Sequence, residues 1–210
     1  MQNRKRKGLA AAVKNWLICA MSKSEKPQAA AGDVGRLERL ARLIRSAGHA
    51  EGLVPAQWEA LRYLARANRF SNAPIVVAHY LGATKGTVSQ TIRGLVRRGL
   101  VASAERSGDA RSVSLLVTGA GRDLLSRDPL RALETGIEGL GEKTRRRFGK
   151  ALDALLAAEA RRQEQPRFGT CPSCRFYLPG DQSACTSFGA RLEERDVGAL
   201  CYRYRAVKAD

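Results

Sequence analysis

Apolar residues recur at helical spacing over most of the first two-thirds of the chain. In residues 33–47 they return every three or four positions with arginines between them, which is typical of an amphipathic helix. Pro55 suits the first turn of a second helix, and a short helix follows Pro74. The next helix is predicted to begin after Thr84 and to end at Gly99. Its apolar stripe consists of Val88, Ile92, Leu95 and Val96.

The period then changes from helical to strand-like. Residues 100–106 and 112–117 are short β-branched runs separated by a turn that contains glycine, which predicts a β-hairpin. Thr118 is placed to cap another helix that reaches Ser126, and helical spacing resumes over 130–164 with glycines that weaken its middle. The predicted fold is therefore mainly α with a small β-hairpin wing, a winged helix–turn–helix, followed by a small loop-rich segment with four cysteines.

The polar face of the helix after Thr84 carries the first candidate chemistry. Two short helices joined at Gly82 can place the second of them in the DNA major groove. There, amide and guanidinium groups can read base edges, whereas hydroxyl and ammonium groups suit phosphates. The alternative for each residue is an ordinary solvated position. The predicted DNA-binding residues are Lys85, Thr87, Ser89, Gln90, Arg93 and, at the hairpin tip, Arg111, with Asp109 as support for the wing.

Residues 33–160 resemble the MarR family of bacterial winged-helix regulators. The segments that carry the resemblance are 53–64, 87–89, 95–101, the Asp-x-Arg wing motif at Asp109 and Arg111, and 116–121. The resemblance implies a homodimer, formed by the first and last helices of the domain, that binds a near-palindromic operator in double-stranded DNA. It also implies a pocket for a small-molecule effector between the dimer base and the DNA-binding lobes.

Four cysteines near the carboxyl end form the second candidate site. They follow the spacing C-x2-C-x10-C-x15-C at Cys171, Cys174, Cys185 and Cys201. The C-x2-C turn puts two sulfurs on one side of a tight loop, and gathered thiolates bind soft metal centres. A zinc ribbon usually has two such C-x2-C turns, whereas this chain has one. Cys19 lies far away in sequence and is predicted to stand outside the site.

The cysteine-rich region is similar to the cluster-binding half of high-potential iron–sulfur proteins. The shared features, besides the cysteines, are Phe176-Tyr177 after the C-x2-C, Gly198 before the last cysteine and Tyr204 after it. Two departures are that Gly198 lies three residues before Cys201 instead of two, and that Leu200 replaces an aromatic residue. The resemblance implies a [4Fe–4S] cluster on four thiolates. Structural zinc, or thiols and disulfides without metal, are the alternatives.

Charge indicates an anionic partner. The 210 residues include 37 Lys and Arg against 20 Asp and Glu, a net charge of +17, which favours nucleic acid or an anionic membrane surface. No uninterrupted apolar stretch approaches the roughly 20 residues needed to cross a bilayer. The basic start followed by residues 8–13 resembles a secretory signal, but Lys14 interrupts it. We expect instead a basic arm, or a native start at Met21, and a cytoplasmic protein with reduced thiols.

Three regions follow from these patterns. Residues 1–31 are expected to be a disordered basic extension, 32–165 a MarR-like DNA-binding and dimerisation domain, and 166–210 a four-cysteine metal segment. No paired carboxylates, nucleophile elbow or phosphate loop indicates an enzyme. The expected function is a transcription regulator whose cluster senses redox state or oxygen, because cluster loss would loosen the segment after the last helix. The alternatives are a zinc-containing regulator with a small-molecule effector, and an electron carrier or thiol redox protein.

Overall fold

The structure, a computed structural model, describes residues 29–106 and 109–207, with the side chains of 106–112 excluded. The predicted basic extension therefore falls almost wholly outside the described residues. The chain divides into two compact units, one up to Ser46 and one from Ala47 onward. Helix α1 covers residues 29–47. It begins before the predicted start at Asp33, because residues 29–31 are alanines, the best helix formers.

The second unit begins with a winged helix–turn–helix, and three further helices follow its hairpin. Its elements to that point are α2 (Pro55–Arg66), α3 (Pro74–Leu81), α4 (Lys85–Arg97), β1 (Val101–Arg106), β2 (Asp109–Val117), α5 (Gly119–Leu125), α6 (Arg131–Glu138) and α7 (Glu142–Arg162). This order confirms the predicted fold class. The glycines that weaken the predicted 130–164 helix coincide with the break between α6 and α7. Within the described ranges, no helix combines the length and apolarity that crossing a bilayer requires.

The core lies between α2, α3, α4 and the hairpin. Its largest fully buried side chains are Trp58, Tyr63, Leu61, Leu95, Leu115, Val77, Val88 and Val101. Arg62 of α2 makes two hydrogen bonds to Asp128, at 2.5 and 2.7 Å, and its guanidinium lies 5.3 Å from the ring centroid of Trp58. This ion pair joins α2 to the loop after α5.

Two side-chain caps begin helices α4 and α5, and one glycine ends helix α3. Thr84 Oγ1 accepts a hydrogen bond from the Thr87 amide at 3.2 Å, and Thr118 Oγ1 accepts one from the Gly121 amide at 3.1 Å. Both threonines satisfy an amide that a helix amino terminus would otherwise leave unpaired. Gly82 ends α3 with φ of +59°, a conformation that strongly favours glycine. The turn between α3 and α4 therefore depends on this residue.

Gly121 at the start of α5 provides a stability test with a matched control. A Cβ atom at Gly121 would overlap the backbone carbonyl of Leu100 and the side chain of Val117. We expect Gly121→Ala to lower the free energy of unfolding by about 1–3 kcal/mol, as overpacking does. Gly119→Ala, where no atom lies within 4 Å of the added carbon, should be neutral or slightly stabilising. Urea denaturation of both variants measures the difference, and equal midpoints would contradict this packing.

The chain after α7 forms a small loop-rich segment, as predicted. We call residues 166–207 the cysteine segment. Its elements are a single 3₁₀ turn at Cys171–Ser173, the strands β3 (Tyr177–Leu178), β4 (Ala184–Cys185) and β5 (Ala190–Arg191), and the short helix α8 (Glu194–Val197). The three strands form an antiparallel sheet in the order β3-β4-β5.

Candidate nucleic-acid interface and thiolate site

Helix α4 divides into a buried side and an exposed polar side. Val88, Ile92 and Leu95 are buried, as predicted, but Val96 is 39% exposed and the prediction that it completes the stripe is wrong. Val96 lies at the edge of the apolar face, and Thr91 occupies the buried position because it falls three residues after Val88. The residues predicted to meet DNA on this helix are all exposed, namely Lys85, Thr87, Ser89, Gln90 and Arg93.

Two of these polar residues also make bonds within α4. The Thr87 hydroxyl lies 2.9 Å from Thr84 Oγ1 and so belongs to the amino-terminal cap. Arg93 Nε donates to the backbone carbonyl of Ser89 at 3.3 Å. The amino terminus of α4 is itself suited to phosphate, because its amides and the helix dipole favour negative charge. Lys85, the first residue of the helix, adds a cation at that end.

The wing is a two-stranded antiparallel hairpin. Its register runs from Val101 opposite Val117 to Glu105 opposite Val113, then shifts so that Arg106 pairs with Asp109. Strand β2 therefore begins at Asp109, three residues before the predicted start, because backbone pairing continues past the irregularity. The side chains of Asp109 and Arg111 lie outside the described residues, so their roles in the wing and on DNA stay predictions.

The four predicted thiol ligands are held on separate short elements of the cysteine segment. Cys171, Cys185 and Cys201 are buried, and Cys174 is half-buried. The Cys174 amide donates to the Cys171 carbonyl at 2.8 Å, which closes the C-x2-C turn. Cys185 lies in β4, and Cys201 pairs through its backbone with Gly169. None of these four thiols forms a disulfide, and Cys19 is outside the described residues.

The other three cysteines affect the Cys171 thiol electrostatically. Burial, followed by the charges of Cys201, Cys185 and Cys174 in their thiolate forms, raises the pKa of the Cys171 thiol to about 11. A thiolate at Cys171 is therefore costly without a nearby cation. A metal centre supplies positive charge and displaces the protons when it binds. The donor set, four cysteine sulfurs of which three are buried, has the ligand chemistry of an iron–sulfur cluster.

The four thiols are not already arranged as a metal site. Among residues 29–106 and 109–207, no group of three or more His, Cys, Asp or Glu side chains is arranged so that it could hold a metal ion. Structural zinc needs four sulfurs about 2.3 Å from one centre, and an iron–sulfur cluster also needs its thiolates to converge. Either centre would therefore require the four sulfurs to converge when it binds.

Aromatic rings from two parts of the chain surround the thiols. Phe176, Tyr177 and Phe188 of the cysteine segment pack with Cys171, Cys185 and Leu192, and so does Phe70 from the loop between α2 and α3. The rings of Phe70 and Phe188 are stacked, with centroids 4.3 Å apart and planes 12° from parallel. The sequence showed Phe176 and Tyr177 close to the cysteines but gave no sign of Phe70, whose contact joins residues far apart in the chain.

Sequence reasoning also missed three buried polar residues, two in the loop between α2 and α3 and one within the cysteine segment. They are Asn68, Ser71 and Asp196, at 3%, 0% and 1% exposed. For Asp196 the signal was its position three residues after Glu193, the spacing of a capping box, and its carboxylate does accept from the Glu193 amide at 3.0 Å. Asn68 and Ser71 carried no pattern of their own, since polar residues before a proline usually indicate a loop.

The helix–turn–helix and most of the hairpin match a known protein family. Residues 51–112 match the MarR family model. The shared fold extends beyond this match, since solved structures, one of them a MarR regulator, align with 59–64% of the chain. No curated protein sequence matches at a significant level.

Three solved structures illustrate the likeness. A MarR regulator from Methanosarcina mazei Go1 has 22% identity and a TM-score of 0.51, covering 62% of this chain and 96% of its own. BldR from Sulfolobus solfataricus has 20% identity and a TM-score of 0.50, with 64% and 96% covered. CouR from Rhodococcus jostii RHA1, bound to p-coumaroyl-CoA, has 20% identity and a TM-score of 0.50, with 59% and 91% covered. At these identities the likeness establishes the fold.

Proposed function

We propose that this protein is a DNA-binding transcription regulator that acts as a homodimer and responds to the state of an iron–sulfur cluster. The main support for DNA binding comes from helix α4. It buries an apolar side and exposes the five polar residues suited to base edges and phosphates. The MarR-like turn and hairpin around it, and the net charge of +17, support the same conclusion.

Selection of bound duplexes from a random pool tests the DNA-binding part. A winged helix–turn–helix dimer should enrich an inverted repeat whose half-sites lie about one helical turn apart. Binding to that duplex should weaken steeply as salt rises, because Lys and Arg release counterions from phosphates. A selected pool without any common sequence, or binding that does not change with salt, would contradict the proposal.

Exposed apolar residues on two helices support the homodimer. Helix α1 exposes Val34, Leu37, Leu40 and Leu43, and α7 exposes Leu155 and Leu156, at 55% and 68%. Helix α7 has no buried residue over its 21 positions. A second copy of the chain would cover such surfaces, since long exposed apolar faces are unfavourable in water.

Charged replacements on α7 are expected to separate the dimer. Leu155→Glu with Leu156→Glu places two like charges per chain in the proposed interface, so the dimer dissociation constant should rise about 30-fold or more. Sedimentation at several concentrations measures this constant. Leu178→Glu is the control, because Leu178 is similarly exposed, at 53%, but lies in the cysteine segment. A doubly substituted protein that dimerises as tightly as the control would contradict the assignment.

We infer that the four cysteines would hold a [4Fe–4S] cluster, with Cys171, Cys174, Cys185 and Cys201 as thiolate ligands. The buried donor set and the aromatic rings around it support this, since burial and solvent exclusion tune cluster potential. When bound, such a cluster gains or loses one electron, and loss of the cluster leaves the cysteines without the centre that would hold them together. An absorption spectrum with iron and zinc assays on protein purified without air distinguishes the cluster from zinc. A preparation with neither iron nor zinc would contradict both.

A small-molecule effector, implied by the MarR resemblance, stays a prediction. CouR, which shares the fold, is bound to p-coumaroyl-CoA in its solved structure. Thermal shift of this protein against a panel of small aromatic acids and their thioesters tests it, because a ligand that binds the folded state raises the melting temperature.

A further inference from the structure

We propose that the cysteine segment controls the helix–turn–helix of its own chain by holding the loop between α2 and α3, residues 67–73, which we call the bridging loop. This inference rests on the proposed function and specifies how the cluster would act on DNA binding. The sequence suggested a different route, in which cluster loss loosens the segment after the last helix. The structure instead packs the cysteine segment directly against the element that leads into α3.

The residues on both sides of Cys201 are bonded to the bridging loop and the end of α2. The Leu200 amide donates to the Arg66 carbonyl at 2.7 Å, and the Asn68 amide donates to the Leu200 carbonyl at 3.0 Å. The Tyr202 amide donates to Ser71 Oγ at 3.1 Å. A ligand cysteine therefore lies between two residues that the loop holds, and any displacement of Cys201 acts on those three bonds.

A second connection runs from Cys171 through Asp196. The Cys171 sulfur lies 3.8 Å from the backbone carbonyl of Asp196. The carboxylate of Asp196 is buried and accepts a hydrogen bond from the Arg69 amide at 3.5 Å. The Arg69 guanidinium also lies 3.5 Å from that carboxylate and 2.5 Å from the carboxylate of Glu193. The middle of the bridging loop is thus fastened to α8, beside a second ligand.

The bridging loop in turn makes hydrogen bonds to α2 and to strand β2 of the wing. The Ser71 carbonyl accepts from the Tyr63 hydroxyl at 2.7 Å, and the Asn72 carbonyl accepts from the Leu115 amide of β2 at 2.9 Å. Tyr63 stacks on Tyr80 of α3, with centroids 4.3 Å apart. Phe168, at the start of the cysteine segment, meets both tyrosines edge-on, at 5.8 and 5.1 Å. The loop therefore joins the thiol site to α3 and to the wing.

These connections form one continuous network from two of the proposed ligand cysteines to α3, which precedes the DNA-reading helix, and to strand β2 of the wing. A bound cluster would fix Cys171 and Cys201 relative to each other and so hold the bridging loop in the conformation that supports α3. Without it, the loop gains freedom and α3 and β2 lose a fixed support. Operator affinity should then be about 5–150-fold higher with the cluster than without it, the range of ordinary coupling between sites.

Two substitutions break the network without touching a thiol or α4. Ser71→Ala removes the acceptor for the Tyr202 amide, and Asp196→Asn removes the charge that Arg69 faces. Their matched controls lie elsewhere in the cysteine segment: Ser183→Ala removes a hydrogen bond to the Gly180 carbonyl at 3.0 Å, and Glu194→Gln alters an exposed residue. Iron content and the thermal unfolding midpoint are measured for each variant. If Asp196→Asn does not fold, Ser71→Ala decides the outcome.

The experiment compares amide hydrogen exchange of residues 66–81 and affinity for the selected duplex, in air-free iron-loaded protein and after chelation. We expect wild type and controls to exchange more slowly and bind more tightly when loaded, and Ser71→Ala to keep its iron but lose most of both differences. If Ser71→Ala showed the same differences in amide exchange and in affinity as wild type, the inference would be overturned.

If wild type contained no iron, or bound the duplex with equal affinity in both forms, the proposed function would fail. Even then, faster exchange of 66–73 in Ser71→Ala would support the bridging-loop contact, and unchanged exchange would overturn it.

Discussion

Cys201→Ser is expected to remove nearly all bound iron and to weaken binding to the selected operator by about 5–150-fold. Cys201 is a buried thiol, and a serine oxygen is a poorer ligand for a soft iron–sulfur centre. Its neighbours Leu200 and Tyr202 are bonded to the bridging loop, so the loss should reach α3. The measurements are iron per chain, the visible absorption spectrum and fluorescence anisotropy with labelled duplex, all without air.

Cys19→Ser is the matched control for this prediction. Cys19 is predicted to stand outside the site, so its replacement should leave about four iron atoms per chain and unchanged affinity. If Cys201→Ser held as much iron as Cys19→Ser, Cys201 would not be a ligand. If it lost iron but bound the operator as tightly as wild type, the cluster would have no part in regulation.

Gln90→Ala is expected to reduce affinity for the selected operator by about 5–150-fold, equivalent to about 1–3 kcal/mol, because its amide is suited to adenine. Gln90 is exposed on α4, next to buried Thr91 and two residues after buried Val88, so its removal should leave the fold intact. The loss should be confined to one base pair of each half-site. On a duplex altered at that pair, wild type and variant should bind alike.

Two other positions on α4 separate base reading from phosphate binding. Lys85→Ala should weaken all sequences about equally and reduce the salt slope by about 1, as expected for a phosphate contact. Arg97 is exposed at the far end of the helix, so Arg97→Ala is the control and should change affinity little.

If Gln90→Ala lost the same affinity on every duplex, Gln90 would not read a base.

Local patterns predicted the helix–turn–helix well because its elements are determined by neighbours in sequence. Thr84 and Thr118 cap the helices they were expected to cap, and Pro55 begins α2. The error at Val96 and Thr91 has a physical cause. A polar residue can be buried when its hydroxyl finds a backbone acceptor, and Thr91 Oγ1 donates to the Thr87 carbonyl at 3.0 Å.

The thiol site was only partly predictable for a different reason. The spacing of the cysteines identified four ligand candidates, and their burial is now described, but their cofactor stays a proposal. The packing of the cysteine segment against the bridging loop left no periodic signal, because it joins residues more than 100 positions apart. Ser71 and Tyr202 are one such pair, and Arg69 and Asp196 are another. Contacts of this kind depend on the complementary shapes of two folded parts.

In the function proposed, one chain couples a thiolate-bound cluster to a DNA-reading helix. The dissociation constant for the selected duplex tests this coupling, determined without air on the same preparation before and after the iron is removed by a chelator. We expect tighter binding by the iron-loaded protein, by about 5–150-fold, and recovery of that affinity when iron and sulfide are restored. Equal dissociation constants for the iron-loaded and iron-free forms would contradict it.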